Sequence, residues 1–383
     1  MLLKKNHFQN SIKSIRLPRA KSLVIRYMIW HFLRSGEVLS IIDEDADDVK
    51  VIHRALLQIA QNRATNEYVT IDVADCGAAF RFLLPLLALR VGKWHLTGNA
   101  RLLQRPIAPL LETLNGIGAQ IVPTADCSLL IEGRPLQAAE LTVNCTQSSQ
   151  FASALLLSSR ELGLQELHIL PPLPHSDSYI AMTKQVLANY AQNGLPAQWE
   201  SDWSAALFWY AWALLNDNMP FELPALSLNS LQGDCRIAAL FAQWGIESVP
   251  TTNGILLKPN NRKIPENLTL DLSQNIDLTP IMAALAVLLP VNLTLTGIAN
   301  LNYKESERGN RLVEAFQPLC SCKYKDFNTL VINGLDKKTI TKPLRFNAAN
   351  DHRLVMTFAL FCSRYEVEIE GVEAIKKSYP NLF

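Results

Sequence analysis

Gly118-Ala-Gln-Ile-Val-Pro123 runs on to Leu129-Leu130, and Gly245-Ile-Glu-Ser-Val-Pro250 runs on to Leu256-Leu257. The spacing from the glycine to the Val-Pro pair and to the Leu-Leu pair is the same in both copies. Each copy follows an apolar helical pattern, so each reads as helix, glycine stop, strand, turn, strand. A looser copy runs from Leu312 to Ile332. Self-similarity at fixed spacing marks a chain built from duplicated supersecondary blocks. The economical architecture is α/β, with two domains of several such blocks each.

Length agrees, since 383 residues exceed one ordinary core. Apolar residues make up 49% and charged residues 19%, the balance of a well-buried globular protein. The net charge of +1 implies no nucleic acid or other polyelectrolyte partner, so any anion site must come from local clustering of cations. Seven scattered cysteines, with no Cys-x-x-Cys pair, argue for reduced thiols in a cytoplasm and against a disulfide framework or a zinc site. Cys320 and Cys322 read as strand packing. The first ten residues carry no signal-peptide core, and no run of about 18 apolar residues predicts a membrane span.

Polar clusters abut apolar helical patterns all along the chain. Lys21 and Ser22 precede Leu23 to Ile25, with Arg26 one helical turn on. Asp47-Asp48 opens a helical segment. Gly77 opens another, where a backbone can approach a ligand closely and a helix N-terminus attracts anions. Arg81, inside that apolar helix, calls for an anionic partner. Arg101 and Arg105 lie before a helix that Pro106 is placed to begin. Ser148, Ser149 and Gln150 head a strongly apolar helix, and capping accounts for only one of the serines. His175 to Tyr179 looks similar. Asp277 precedes Ile281 and Leu285 and reads either as a cap or as a functional carboxylate. Asn300-Leu-Asn-Tyr-Lys-Glu-Ser-Glu-Arg308 gathers four charges in five residues. Its bland reading is a solvated, charged helix start; if Ser306 caps that helix, Lys304 and Glu305 sit in the loop just before it, where side chains can reach a ligand. Arg308, a cation set against the helix dipole, points instead to an anion nearby. Asn350-Asp-His-Arg353 and Lys376-Lys-Ser-Tyr-Pro380 close the series.

These segments, in this order, resemble the enolpyruvyl transferase family, and within it the EPSP synthases. The resemblance runs from Leu17 to Pro380. Its most specific pieces are the stretch from Leu96 to Ile107, Ser148 to Phe151, Asn302 to Arg308, Asn350 to Arg353 and Lys377 to Pro380. It implies a two-domain inverse α/β barrel, each domain made of three βαβαββ units. One domain would be discontinuous (1–19 with 200–383), the other continuous (20–199), with the active site in the cleft between them. The implied reaction transfers the enolpyruvyl group of phosphoenolpyruvate to the 5-hydroxyl of shikimate 3-phosphate, giving EPSP and phosphate in aromatic amino acid biosynthesis, with no metal or organic cofactor. By motif match, Lys21, Ser22, Arg26, Ser148, Ser149, Gln150, Ser176, Tyr179, Asp277, Asn300 and Lys304 would bind shikimate 3-phosphate. Lys21, Gly77, Arg105, Gln150, Arg308, Arg353 and Lys377 would hold phosphoenolpyruvate. Asp277 matches the proton acceptor and Glu305 the proton donor, with Lys21 and Lys377 also catalytic.

The residue types suit the chemistry. Both substrates carry a phosphate and a carboxylate, and arginines match that forked geometry. Protonating an enol ether needs an acid and freeing a hydroxyl needs a base, roles that two carboxylates in different surroundings can divide. The sequence departs from the family pattern at Arg19-Ala20, Asp75, Ala78, Asn302 and Glu307. Two other readings are a UDP-N-acetylglucosamine enolpyruvyl transferase, which typically carries a reactive cysteine where Arg101 to Arg105 holds none, and a degenerate, non-catalytic paralogue. A cytoplasmic monomer without membrane contact is expected.

Overall fold

The computed structural model describes residues 1–62, 67–171, 178–216, 220–261, 263–289, 291–334 and 343–383. The chain divides into two compact units, Met1–Ala20 with Trp199–Phe383, and Lys21–Gln198.

Each unit contains one complete block in which the duplicated pattern is explicit. In the continuous unit, strand Val69–Asp72, helix Gly77–Leu89, strand Gly92–Thr97, helix Ala108–Gly116 and strands Gln120–Pro123 and Leu129–Gly133 follow one another. In the discontinuous unit, Asn267–Asp271, Thr279–Leu288, Asn292–Thr296, Arg308–Phe316, Ser321–Asp326 and Thr329–Asn333 repeat that order. Both sheets place the first strand parallel to the second, the fourth antiparallel to the second, and the third at the edge. The helix, glycine, strand, turn, strand reading of 108–133 and 237–259 holds. The looser copy at 312–332 belongs to the second complete block.

The remaining segments are partial blocks. Glu140–Asn144, Gln150–Leu157 and Glu166–Leu170 form a parallel strand–helix–strand unit followed by helix Ser178–Asn193. Leu344–Asn347, His352–Ala359 and Val367–Glu370 form another, and the N-terminal strand Leu2–Leu3 pairs antiparallel with its second strand.

Helices lie inside and sheets outside. Helix Trp203–Leu215 is buried at every position but Ser204, and Thr279–Leu288 is buried throughout, as expected of helices apolar on all sides. Strands alternate instead. Leu293 and Leu295, or Leu330 and Ile332, face the core, while Thr294 and Val331 between them are partly exposed. Cys320 and Cys322 are buried with them, and the seven cysteines are free thiols.

One local device recurs at the end of the first strand of all four parallel pairs among the described residues. Asp72, Asn144, Asp271 and Asn347 each end that strand, and each Oδ1 accepts from the N–H two residues on, at 2.7 to 2.9 Å. The next N–H donates across to the second strand, from Val73 to Thr97, Cys145 to Leu170, Leu272 to Thr296 and Ala348 to Glu370. Such Asx turns redirect the chain without a glycine. Four times over, they fix where a helix begins beyond the carboxyl end of a parallel strand. Open α/β sheets bind ligands in that position.

Candidate active site

The residues singled out in the sequence cluster at these ends. Gly77, Gln150, Asp277 and Arg353 follow the first strands of their blocks. Arg105, Tyr179, Asn300 to Arg308 and Lys377 follow the second strands. Ser176 lies outside the described residues. Lys21, Ser22 and Arg26 open helix Lys21–Ser35.

In the discontinuous unit three cations meet three carboxylates. Arg308, fully buried, donates from Nε and Nη2 to the two oxygens of Asp351 at 2.9 and 3.1 Å. Its Nη1 reaches Asp277 Oδ1 at 3.0 Å and Nη2 reaches Glu305 Oε2 at 2.6 Å. Arg353 Nη2 holds Asp277 Oδ2 at 3.1 Å, and Lys304 Nζ lies 3.4 Å from Asp277 Oδ1. Burial pushes the Asp277 carboxyl up, but Arg353, Lys304 and Arg308 outweigh burial and Glu305 together. They hold it well below the usual carboxylate range. Burial lowers the Lys304 pKa, and Arg308 and Arg353 add to this against the pull of Asp277 and Glu305. For Arg308, burial opposes the charge, yet Asp351, Glu305 and Asp277 raise its pKa further above the arginine range. Lys377 is also buried, at the end of the Val372–Lys377 turn.

The structure corrects the reading of this loop in two ways. Ser306 does not cap the helix. Its hydroxyl donates to Asp351 Oδ2, and Asn302 Oδ1 accepts from the N–H groups of Gly309 and Asn310. Nor is the cluster a solvated helix start, since Ser306 and Arg308 are buried and the anions beside Arg308 come from the chain itself. Asp351 had drawn no role from sequence. The available signal was its place before an apolar helix, whose cap it is, accepting from Arg353 N at 2.9 Å.

In the continuous unit, Lys21 Nζ pairs with Asp48 at 2.9 Å. Arg26 is buried, and several neutral oxygens are among the acceptors it reaches. These are Thr183 Oγ1 at 2.8 Å, the Ser22 carbonyl at 2.8 Å, and Ser153 Oγ and the Tyr179 carbonyl at 3.4 Å. Ser148 Oγ accepts from Gln150 N, and the Ser149 carbonyl from Ser153 N. Gln150 Oε1 accepts from Arg81 Nη1 at 2.9 Å, and Arg81 Nη2 donates to the Pro106 carbonyl. Pro106 does not begin the following helix, which starts at Ala108 with Pro109 in its first turn. Gly77 is placed as expected, at a helix start, and its missing side chain admits two guanidinium groups. A Cβ there would lie 2.6 Å from Arg105 Nη1 and 2.9 Å from Arg81 Nη1.

Residues 37–383 match the model of the EPSP synthase (3-phosphoshikimate 1-carboxyvinyltransferase) family. The chain belongs to the EPSP synthase family. The 3-phosphoshikimate 1-carboxyvinyltransferase of Bacteroides fragilis is 33% identical, over 96% of this chain and 92% of that one. The enzyme of that name from Methanospirillum hungatei is 25% identical over 97% and 94%. Among solved structures, EPSP synthase from Acinetobacter baumannii matches with a TM-score of 0.66 at 19% identity, covering 96% of this chain and 93% of that one. An enolpyruvyl transferase from Streptomyces tendae matches at 0.67 and 14% identity, covering 96% and 92%. The fold is therefore the two-domain inverse α/β architecture of this family. No helix among the described residues is long and apolar enough to cross a membrane.

Proposed function

We propose that this enzyme transfers the enolpyruvyl group of phosphoenolpyruvate to the 5-hydroxyl of shikimate 3-phosphate, releasing phosphate. Beyond family membership, the observation that carries this reading is the pair of carboxylates, Asp277 and Glu305, bound to the same Nη end of Arg308. In the reaction, Asp277 takes the hydroxyl proton as that oxygen bonds to C2 of phosphoenolpyruvate. Glu305 delivers a proton to the methylene carbon, giving a tetrahedral ketal. Return of a methyl proton to the Glu305 carboxylate and cleavage of the C2–O bond, with the electron pair leaving on phosphate, then restore the enol ether.

Arg353, Lys304 and Arg308 hold the Asp277 carboxyl well below the usual carboxylate range, which opposes its taking a proton. The substrates supply the correction. The negative charge of phosphoenolpyruvate on Arg353, and of shikimate 3-phosphate on Lys304, weakens their hold on Asp277, and a phosphoenolpyruvate carboxylate on Nη1 and Nη2 of Arg308 displaces Asp277 and Glu305 together. The Asp277 pKa then rises, as its cationic partners are drawn away. Asp351 keeps Nε occupied, so the guanidinium does not swing away. In this reading Lys21, Gly77, Arg105, Gln150, Arg353 and Lys377 complete the phosphoenolpyruvate contacts. Ser22, Arg26, Ser148, Ser149, Ser176, Tyr179, Asn300 and Lys304 take shikimate 3-phosphate.

The reading extends to a monomer in the cytoplasm, without nucleic-acid partners, which the net charge of +1 supports. A UDP-N-acetylglucosamine substrate is not favoured, because 101–105 carries no cysteine and the family match is to EPSP synthase. Phosphate release from phosphoenolpyruvate, measured with and without shikimate 3-phosphate, tests the assignment. Release that does not depend on shikimate 3-phosphate would overturn it.

A further inference from the structure

Behind Arg353 lies a carboxylate that the reaction does not use. Asp234, 7% exposed, sits on the single turn Gly233–Arg236. One of its oxygens accepts from the hydroxyl of Ser204, near the start of helix Trp203–Leu215. The other accepts from Asn275 Nδ2 at 2.9 Å. Each contact leads to a residue of the proposed chemistry. Ser204 Oγ accepts from Arg353 Nη2 at 3.4 Å, and Asn275 immediately precedes the single turn Ile276–Leu278 that carries Asp277. Arg353 in turn binds Asp277 twice, through Oδ2 at 3.1 Å and through its carbonyl oxygen at 3.3 Å.

A serine hydroxyl has one proton and two lone pairs. The bond to Asp234 commits that proton, so the lone pairs face the guanidinium. An ionised carboxylate can only accept, and it therefore fixes the direction of both bonds. We infer that Asp234 is a positioning residue for the phosphoenolpyruvate site. It orients Arg353 through the Ser204 hydroxyl and braces the Asp277 turn through Asn275. This rests on the assignment of Arg353 to phosphoenolpyruvate made above.

Asp234→Asn keeps the shape and reverses one polarity. With the amide oxygen left on Asn275, the NH2 group points at Ser204, which must accept and turn its own proton toward Arg353. The KM for phosphoenolpyruvate should rise about tenfold, the scale of one hydrogen bond to a charged group. The KM for shikimate 3-phosphate should hold within about twofold, a smaller change than losing one neutral hydrogen bond makes. Ser204→Ala should behave alike. The double variant should be no worse than either single one, because both cut the same link. Steady-state phosphate release on the four proteins, with thermal unfolding of each, gives the answer. Additive effects, or both KM values rising with a fall in melting temperature, would mean that Asp234 is only structural and overturn the inference. So would an unchanged KM for phosphoenolpyruvate in Asp234→Asn when Arg353→Ala raises it. If Arg353→Ala leaves that KM unmoved, the assignment of Arg353 fails first and the inference falls with it.

Discussion

Replacing Asp351 with alanine should strongly destabilise the discontinuous unit. Four donors converge on this fully buried carboxylate: Arg308 Nε and Nη2, Ser306 Oγ and the Arg353 N–H. Removing one partner of a buried ion pair costs about 3–5 kcal/mol, because the other charge stays buried. Arg308 keeps Asp277 and Glu305, which places the loss at the lower end, near about 3 kcal/mol. Loss of the helix cap adds about 1 kcal/mol. The sum, about 4 kcal/mol, is a large share of the 5–15 kcal/mol typical of a folded protein. For a unit of this size it corresponds to a fall of roughly 8–16 °C in melting temperature. Asp351→Asn keeps the cap and the shape, so it should recover about 1 kcal/mol. Tryptophan fluorescence during urea or thermal unfolding suits the measurement, since Trp199, Trp203, Trp209, Trp212 and Trp244 all lie in this unit. A loss below about 1 kcal/mol in Asp351→Ala, the scale of a single neutral hydrogen bond, would show that Asp277 and Glu305 suffice for Arg308 and refute the reasoning.

Glu305→Gln should lower kcat by about 10²- to 10⁴-fold, the usual contribution of a positioned acid. Its affinity for shikimate 3-phosphate by calorimetry should change by less than about 1 kcal/mol, and an unaltered kcat would remove Glu305 as the proton donor. Gly77→Ala sets a Cβ against the ends of two flexible side chains, Arg105 and Arg81, rather than against backbone. Its melting temperature should barely move while the KM for phosphoenolpyruvate rises about tenfold, the scale of one charge-assisted hydrogen bond; an unchanged KM excludes a role for the two guanidinium positions. Asp277 has a depressed folded pKa, so its stabilisation is complete above an unfolded value near about 4 and is lost as pH falls toward the folded one. Asp277→Asn should therefore be less stable than the parent at pH 6, with the gap narrowing at pH 3 by at most about 1.4 kcal/mol per unit below that value. Urea midpoints showing an equal gap at both pH values would contradict this.

The sequence by itself determined the duplicated blocks, because helix periodicity, a glycine stop and strand alternation are local properties that a chain displays before it folds. Gly118 and Gly245 mark equivalent helix ends for that reason. It also determined where the site residues fall, at the junctions of strands and helices, since polar residues heading apolar helices stand out in one dimension. Tertiary structure alone decided the partners. Asp351 reaches Arg308 across 43 residues, and Asn302 rather than Ser306 closes the start of helix Arg308–Phe316. Arg81 donates to the Gln150 amide oxygen and to the Gly77 and Pro106 carbonyls. Nothing in local periodicity distinguishes these choices. A hydrogen bond is selected by which groups packing brings within about 3 Å, and that distance depends on how whole blocks settle against one another.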